Sequence, residues 1–128
     1  RGLGDVYKRQ GNIINISSIS GGKHPAIHSG AYAASKAGVV MLSEQMSLEW
    51  GKEGIRVNAI NPVAGETPLL ATFMGEDTPI MRSKFLATIP IGRFSTPEDM
   101  GNAACFLCSN EASMITGVCL EVDGGRCI

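Results

Sequence analysis

Ile13-Ile14-Asn15-Ile16-Ser17-Ser18, followed by Tyr32-Ala33-Ala34-Ser35-Lys36-Ala37-Gly38, decides how this chain is read. The first stretch is a short run of β-branched residues ending in two serines, the pattern of a buried strand. The second opens a helix with Tyr-x-x-x-Lys. Positions i and i+4 share a helix face, so the ammonium of Lys36 can sit beside the phenol of Tyr32. A unit positive charge ~4 Å from a phenolate stabilises it by roughly 4 kcal/mol at an effective dielectric near ~20. A phenol placed in this way can move protons near neutral pH, where a general acid or base works best. Burial opposes the effect by disfavouring the phenolate, so the lysine has to outweigh it. Taken alone, Tyr-x-x-x-Lys is also the pattern of an ordinary surface pair. The serine at a strand end and the elements downstream turn the reading toward chemistry.

Working outward, Asn12 to Ser17 reads as a strand and Ser18 to Gly30 as a loop rich in Gly, Ser and His. Ala31 to about Trp50 reads as a helix, crowded at its start with Ala33, Ala34, Ala37 and Gly38, a face suited to close packing. Val39, Leu42 and Met46 form an apolar stripe along it. Gly51 and Gly54 end the helix. Ile55 to Ile60 is a second strand, stopped by Asn61-Pro62. Val63 to Pro90 reads as a binding lid, with helical pieces near Leu69–Met74 and Ile80–Thr88. Thr96, Pro97 and Asp99 predict a capped helix start, and that helix runs to about Ser109. Val118 to Val122 is the last strand, closed by Asp123-Gly124-Gly125. Strands separated by helices predict an α/β fold with a parallel sheet and right-handed crossovers. Ligands bind such sheets beyond the C-terminal ends of the strands, where Ser18 and Asn61-Pro62 fall.

The 128 residues are 44% hydrophobic with a net charge of −1, which suits a packed core and gives no basic footprint for nucleic acid. No apolar run reaches the ~20 residues needed to span a membrane, and no secretory leader is read. Among the four cysteines, Cys105 and Cys108 form a C-x-x-C inside a helix without a second ligand pair. All four, with Cys119 and Cys127, are expected to be buried free thiols, with no metal site and with a reducing, cytoplasmic location as the default.

Residues 1–10 (RGLGDVYKRQ) have no apolar period and join abruptly to the first strand. Gly4 to Gln10 is also what a transposon-end sequencing adapter encodes when read through in frame. The expectation is that residues 1–10 are a library artefact and that the genuine chain starts near Gly11, mid-gene. Reads from independent genomic fragments that continue into the same codons would overturn it.

Five pieces carry a family resemblance: Asn15-Ile16-Ser17-Ser18; Tyr32-x-x-x-Lys36; Ile55 to Pro62; Pro97-Glu98-Asp99; and Thr116-Gly117 with Val122-Asp123-Gly124-Gly125. In this order and spacing, residues 11–128 resemble the C-terminal half of a compact, single-domain short-chain dehydrogenase/reductase. The resemblance implies the C-terminal, catalytic half of a Rossmann-like doubly wound parallel sheet, without its dinucleotide-binding half. No Gly-x-x-x-Gly-x-Gly turn is found, and the family's proton-relay asparagine would lie upstream. The implied activity is hydride transfer between NAD or NADP and a small alcohol or ketone. Tyr32 would exchange the proton at the substrate oxygen, Lys36 would assist it and bind the nicotinamide ribose, and Ser18 would hold the substrate oxygen, with Ser17 as its rival. Ser18 and Tyr32 are thus also the substrate-binding residues, and Tyr32 counts with Lys36 among the cofactor-binding ones. Pro62, Val63, Gly65 and Thr67 would meet the nicotinamide; Val63 stands where the family usually has glycine, with Gly65 expected to restore loop freedom. The resemblance further implies a homo-oligomer, tetramer or dimer, through the Ala31–Trp50 helix and the last strand. The alternatives are a dehydrogenase-like binding or regulatory protein without turnover, and a fragment inactive by itself. His24 and His28 are candidate pocket residues or solvated loop residues. Met74, Met81 and Phe85 are candidates for substrate contact or helix packing. Arg93 is expected to cap carbonyls or pair with Glu98.

Overall fold

A computed structural model describes residues 11–24 and 26–128; the adapter reading of residues 1–10 lies outside the described residues. The described chain runs β1 (Gly11–Ile16), a single turn at Ile19–Gly21, α1 (Gly30–Trp50), β2 (Ile55–Pro62), α2 (Leu70–Met74), α3 (Pro79–Leu86), α4 (Pro97–Cys108) and β3 (Cys119–Val122). The sheet order is β1-β2-β3, and both pairings are parallel. The α/β reading therefore stands, with strand and helix ends within a few residues of those expected.

The strands divide the burial unevenly. β2 is the sheet's centre: Val57, Asn58, Ala59 and Ile60 are fully buried. β1 is not the fully buried strand expected, because among the described residues it pairs only with β2, and Ile16 at its end is 53% exposed. Asn58 survives in the core because its amide donates to the Ile115 carbonyl and its Oδ1 accepts from the Val118 N–H, at 3.0 Å each.

Side chains alternate across a strand, so hydrogen bonds to neighbouring helices reveal which face each helix covers. Asn15 of β1 donates to Ser43 of α1 at 2.9 Å. Asn12, on the opposite face of the same strand, donates to the Cys108 carbonyl of α4 at 3.1 Å. Arg56, beside Asn12 in register, donates to the carbonyls of Leu107, Ser109 and Ile115. α1 and α4 thus cover opposite faces. The strands advance in one direction across the sheet, so the two crossovers have opposite hands. This corrects the expectation that both are right-handed. The long connection from Val63 to Val118, with three helices of its own, has enough chain to pass to the other face, as a short crossover does not.

α1 also departs from its sequence pattern. Its buried residues are Ser43 and Ser47, whereas Leu42 of the expected apolar stripe is half exposed. Each buried serine donates its hydroxyl to a carbonyl of its own helix, Val39 and Glu44 respectively, and Ser43 also accepts from Asn15 of β1. Ala34, Ala37, Gly38, Met41 and Leu48 lie on the outer face.

Candidate active site

The C-terminal ends of all three strands point to one edge of the sheet, and one cavity of about 720 Å³ opens there. Ser18, Tyr32, Lys36, Pro62, Val63, Gly65 and Thr67 all line it. These seven residues therefore reach one space.

Ser17 and Ser18 leave β1 with different commitments. The Ser17 hydroxyl donates to the Lys36 carbonyl at 2.8 Å, which fastens the strand exit to α1. Ser18 caps the following turn, its Oγ accepting from the Ser20 N–H at 3.1 Å, so its hydroxyl hydrogen remains available to a ligand. Gly21 lets this turn press against α1: a Cβ there would lie 2.8 Å from the Lys36 carbonyl carbon.

Tyr32 and Lys36 occupy the same side of α1, with the lysine Nζ 5.7 Å from the centre of the tyrosine ring. The Lys36 ammonium donates to the Ile16 carbonyl at 2.9 Å. Lys36 and the β1 exit are thus tied twice, by the lysine's own amine and by its carbonyl through Ser17. An ammonium has three donors, so two remain for other acceptors.

The loop after β2 forms the other wall. Val63 is buried with Ile19 and Ile89, and its backbone stays out of the left-handed region, so the absence of glycine there forces no strain. Gly65 serves close approach and not loop freedom: it bridges to Ser95, and a Cβ would meet the Ser95 Oγ at 2.8 Å. Ser95 holds the loop further, its N–H donating to the Ala64 carbonyl while its carbonyl accepts from the Glu66 N–H at 2.8 Å. Arg82 of α3 pairs with Glu66 at 2.8 Å and also with Asp77, latching the expected lid to this loop. Hydrogen bonds to both carboxylates hold the guanidinium pKa above its ordinary value.

His24 and Phe85 reach the cavity, whereas His28, Met74 and Met81 do not line it. Met74 and Met81 border a smaller cavity of about 300 Å³ beside α3. Arg93 donates to the Phe94 carbonyl at 3.0 Å, as expected, but its carboxylate partner is Asp99 at 2.6 Å and not Glu98. The Thr96–Asp99 capping box turns Asp99 back toward the helix start and into the arginine's reach. The burial expected of the thiols fails for Cys105 and Cys108, which are exposed on α4. Cys119 and Cys127 are partly buried, and burial together with a hydrogen bond to Asp123 pushes the Cys127 thiol up to about 11.

Arg126, not among the expected site residues, also lines the cavity, with its Cζ 4.3 Å from the centre of the Phe85 ring. The available signal was a charged residue immediately after Asp123-Gly124-Gly125, where a strand exit delivers side chains to the ligand edge.

Comparisons with known proteins show the family of the chain. A family model described as enoyl-(acyl carrier protein) reductase matches residues 1–126. The chain is 48% identical over 123 residues to 4-formylbenzenesulfonate dehydrogenase of Comamonas testosteroni, covering 94% of this chain and 48% of that protein. It is 41% identical over 125 residues to a Xanthobacter autotrophicus protein named inactive 2-(S)-hydroxypropyl-CoM dehydrogenase 2, covering 95% of this chain and 54% of that one. Among solved structures, it resembles 3-ketoacyl-(acyl-carrier-protein) reductase from Brucella melitensis complexed with NADH. That match has a TM-score of 0.85 and 45% identity, and covers 95% of this chain and 49% of that one. The chain spans about half the length of the curated relatives it matches. The parallel sheet, the cavity at its C-terminal edge and these matches together identify the chain as belonging to the short-chain dehydrogenase/reductase family.

Proposed function

We propose that the protein containing this chain is an NAD(P)-dependent oxidoreductase that interconverts a small alcohol and its carbonyl compound. The observation that carries the reading is the convergence of Ser18, Tyr32, Lys36 and the Pro62–Thr67 loop on one cavity. The Xanthobacter relative is named inactive, so family membership alone does not carry turnover. A phenol, a lysine ammonium on the same helix side and a hydroxyl with its hydrogen available, all in one space, favour an enzyme over a binding protein.

In this reading the Ser18 hydroxyl donates to the substrate oxygen and steadies charge developing there. The Tyr32 phenol gives its proton to that oxygen in reduction and takes it back in oxidation. Lys36 keeps a positive charge beside the phenol while its tie to Ile16 fixes the stem. The donors fit a nicotinamide nucleotide: two ammonium hydrogens of Lys36 suit a ribose diol, and the Pro62–Thr67 loop, with the Thr67 hydroxyl, suits a carboxamide. A bound nicotinamide nucleotide would supply or accept the hydride. The four free cysteines support a reducing, cytoplasmic location. The apolar outer face of α1 supports a homo-oligomer.

Tyr32→Phe in the complete protein removes the exchangeable proton and leaves the ring. The expected result is loss of turnover with nucleotide binding retained, read by NAD(P)H absorbance and by calorimetry. Activity above roughly a few per cent of the parent's would remove Tyr32 from the proton-transfer role.

A further inference from the structure

Two guanidinium groups bracket one aromatic stack, and they differ in their counter-ions. Phe85 of α3 and Phe94 stack with their ring centres 5.6 Å apart. Arg82 lies over Phe94 with its Cζ at 5.5 Å, and Arg126 lies over Phe85 at 4.3 Å. Arg82 is paired with Glu66 and Asp77. Arg126 has no such partner: its Nε and Nη1 are buried and meet no hydrogen-bond acceptor among the described residues.

The nearby acids are already committed. Asp123 accepts from the backbone N–H groups of Gly125 and Cys127, at 2.9 Å each. Glu121 of β3 is ion-paired with Lys23 at 3.1 Å. Burial pulls the Arg126 pKa down, but a guanidinium stays charged at neutral pH. Arg126 is only partly buried, but donors buried without an acceptor are costly until an acceptor joins them, and guanidinium groups bind carboxylates with strong, directional hydrogen bonds. Arg126 faces the cavity that Ser18 and Tyr32 line, and Leu69, Phe73 and Met100 add apolar wall to it. That space therefore combines an oxygen-binding pair, an apolar lining and a guanidinium with unpaired donors.

We propose that Arg126 selects the substrate by binding an anionic group, a carboxylate or sulfonate, on the alcohol or carbonyl compound that reacts at Ser18 and Tyr32. This rests on the function proposed above and adds a substrate class to it: compounds with an apolar body and an acidic substituent remote from the reacting oxygen.

The test uses the complete protein with two ketones of nearly the same shape and different charge, 4-acetylbenzoate and 4-acetylbenzamide. The parent is expected to favour 4-acetylbenzoate by about 100-fold in kcat/KM. Arg126→Gln brings that ratio close to one, and Arg126→Lys, which keeps the charge without the planar fork, retains part of it. A ratio unchanged by Arg126→Gln overturns the proposal, and so does an equal fall for both ketones, which marks a structural role. Calorimetry with benzoate supplies a readout free of turnover: the parent binds it and Arg126→Gln does not. Nucleotide binding stays equal in the two proteins. Weaker NADH binding by Arg126→Gln would assign the guanidinium to a nucleotide phosphate and overturn the substrate assignment. Benzoate binding through Arg126 without turnover of either ketone would sink the proposed function and leave the anion site standing.

Discussion

Ser17 and Ser18 are adjacent, yet the structure gives them different work. Spacing favoured Ser18 for the substrate oxygen but left Ser17 as a rival, because one-dimensional order does not record where a hydroxyl donates. The Ser17 hydroxyl is occupied by the Lys36 carbonyl, and the Ser18 hydroxyl keeps its hydrogen. Ser18→Ala is expected to lower kcat by about 100-fold or more, the usual loss on removing one donor from a developing oxyanion, and to cost about 1 kcal/mol of stability through the lost cap on the Ser20 N–H. Ser17→Ala should cost about 1 kcal/mol of stability through its own lost hydrogen bond while kcat stays close to the parent's. Steady-state kinetics and denaturant titration of both variants check this, and interchanged effects on kcat would swap the two roles. Arg126 escaped notice because its significance lies in missing partners, and only packing shows which acids are already engaged.

At the level of elements, the start of α4 was legible almost completely. Thr96, Pro97 and Asp99 carry a local pattern, and the capping box forms from residues within one turn. The Arg93 pairing was misread because Glu98 and Asp99 are neighbours in sequence but point in different directions once the helix begins. Arg93, and then the Thr96 N–H, hold the Asp99 carboxyl below the usual carboxylate range. A carboxyl pKa depressed by folding contributes stability that is present above the ordinary value of ~3.9 and lost as pH falls below it. Asp99→Asn should therefore narrow the stability difference between neutral and acid solution, measured by urea denaturation across that range. An identical acid decline in parent and variant would show that Asp99 is not linked to folding. α1 was legible in extent and not in orientation. Its apolar residues spread around the helix, so no stripe dominates and the side facing the sheet is chosen by Ser43 and Ser47, whose hydroxyls donate within the helix.

For the whole molecule, the alternation of strands and helices predicted the parallel sheet, and strand polarity predicted the edge at which the cavity opens. The opposite hands of the crossovers were not legible, because nothing in a connection's composition states which face of the sheet it will cross. The outer face of α1 leaves Met41 62% and Leu48 76% exposed, beside Ala34, Ala37 and Gly38. Apolar surface with small residues between suits a second helix packed closely against it, in line with the proposed homo-oligomer. Leu48→Asp in the complete protein should lower the molar mass found by light scattering to that of a smaller assembly; an unchanged mass would put the subunit contacts elsewhere. The double tie between Lys36 and the β1 exit has a thermodynamic consequence. Free lysine stems surrender up to about 2 kcal/mol of rotamer entropy when immobilised. Here that loss accompanies folding, so in the proposed function the capture of a nucleotide ribose would begin with an amine already moored to the strand beneath it.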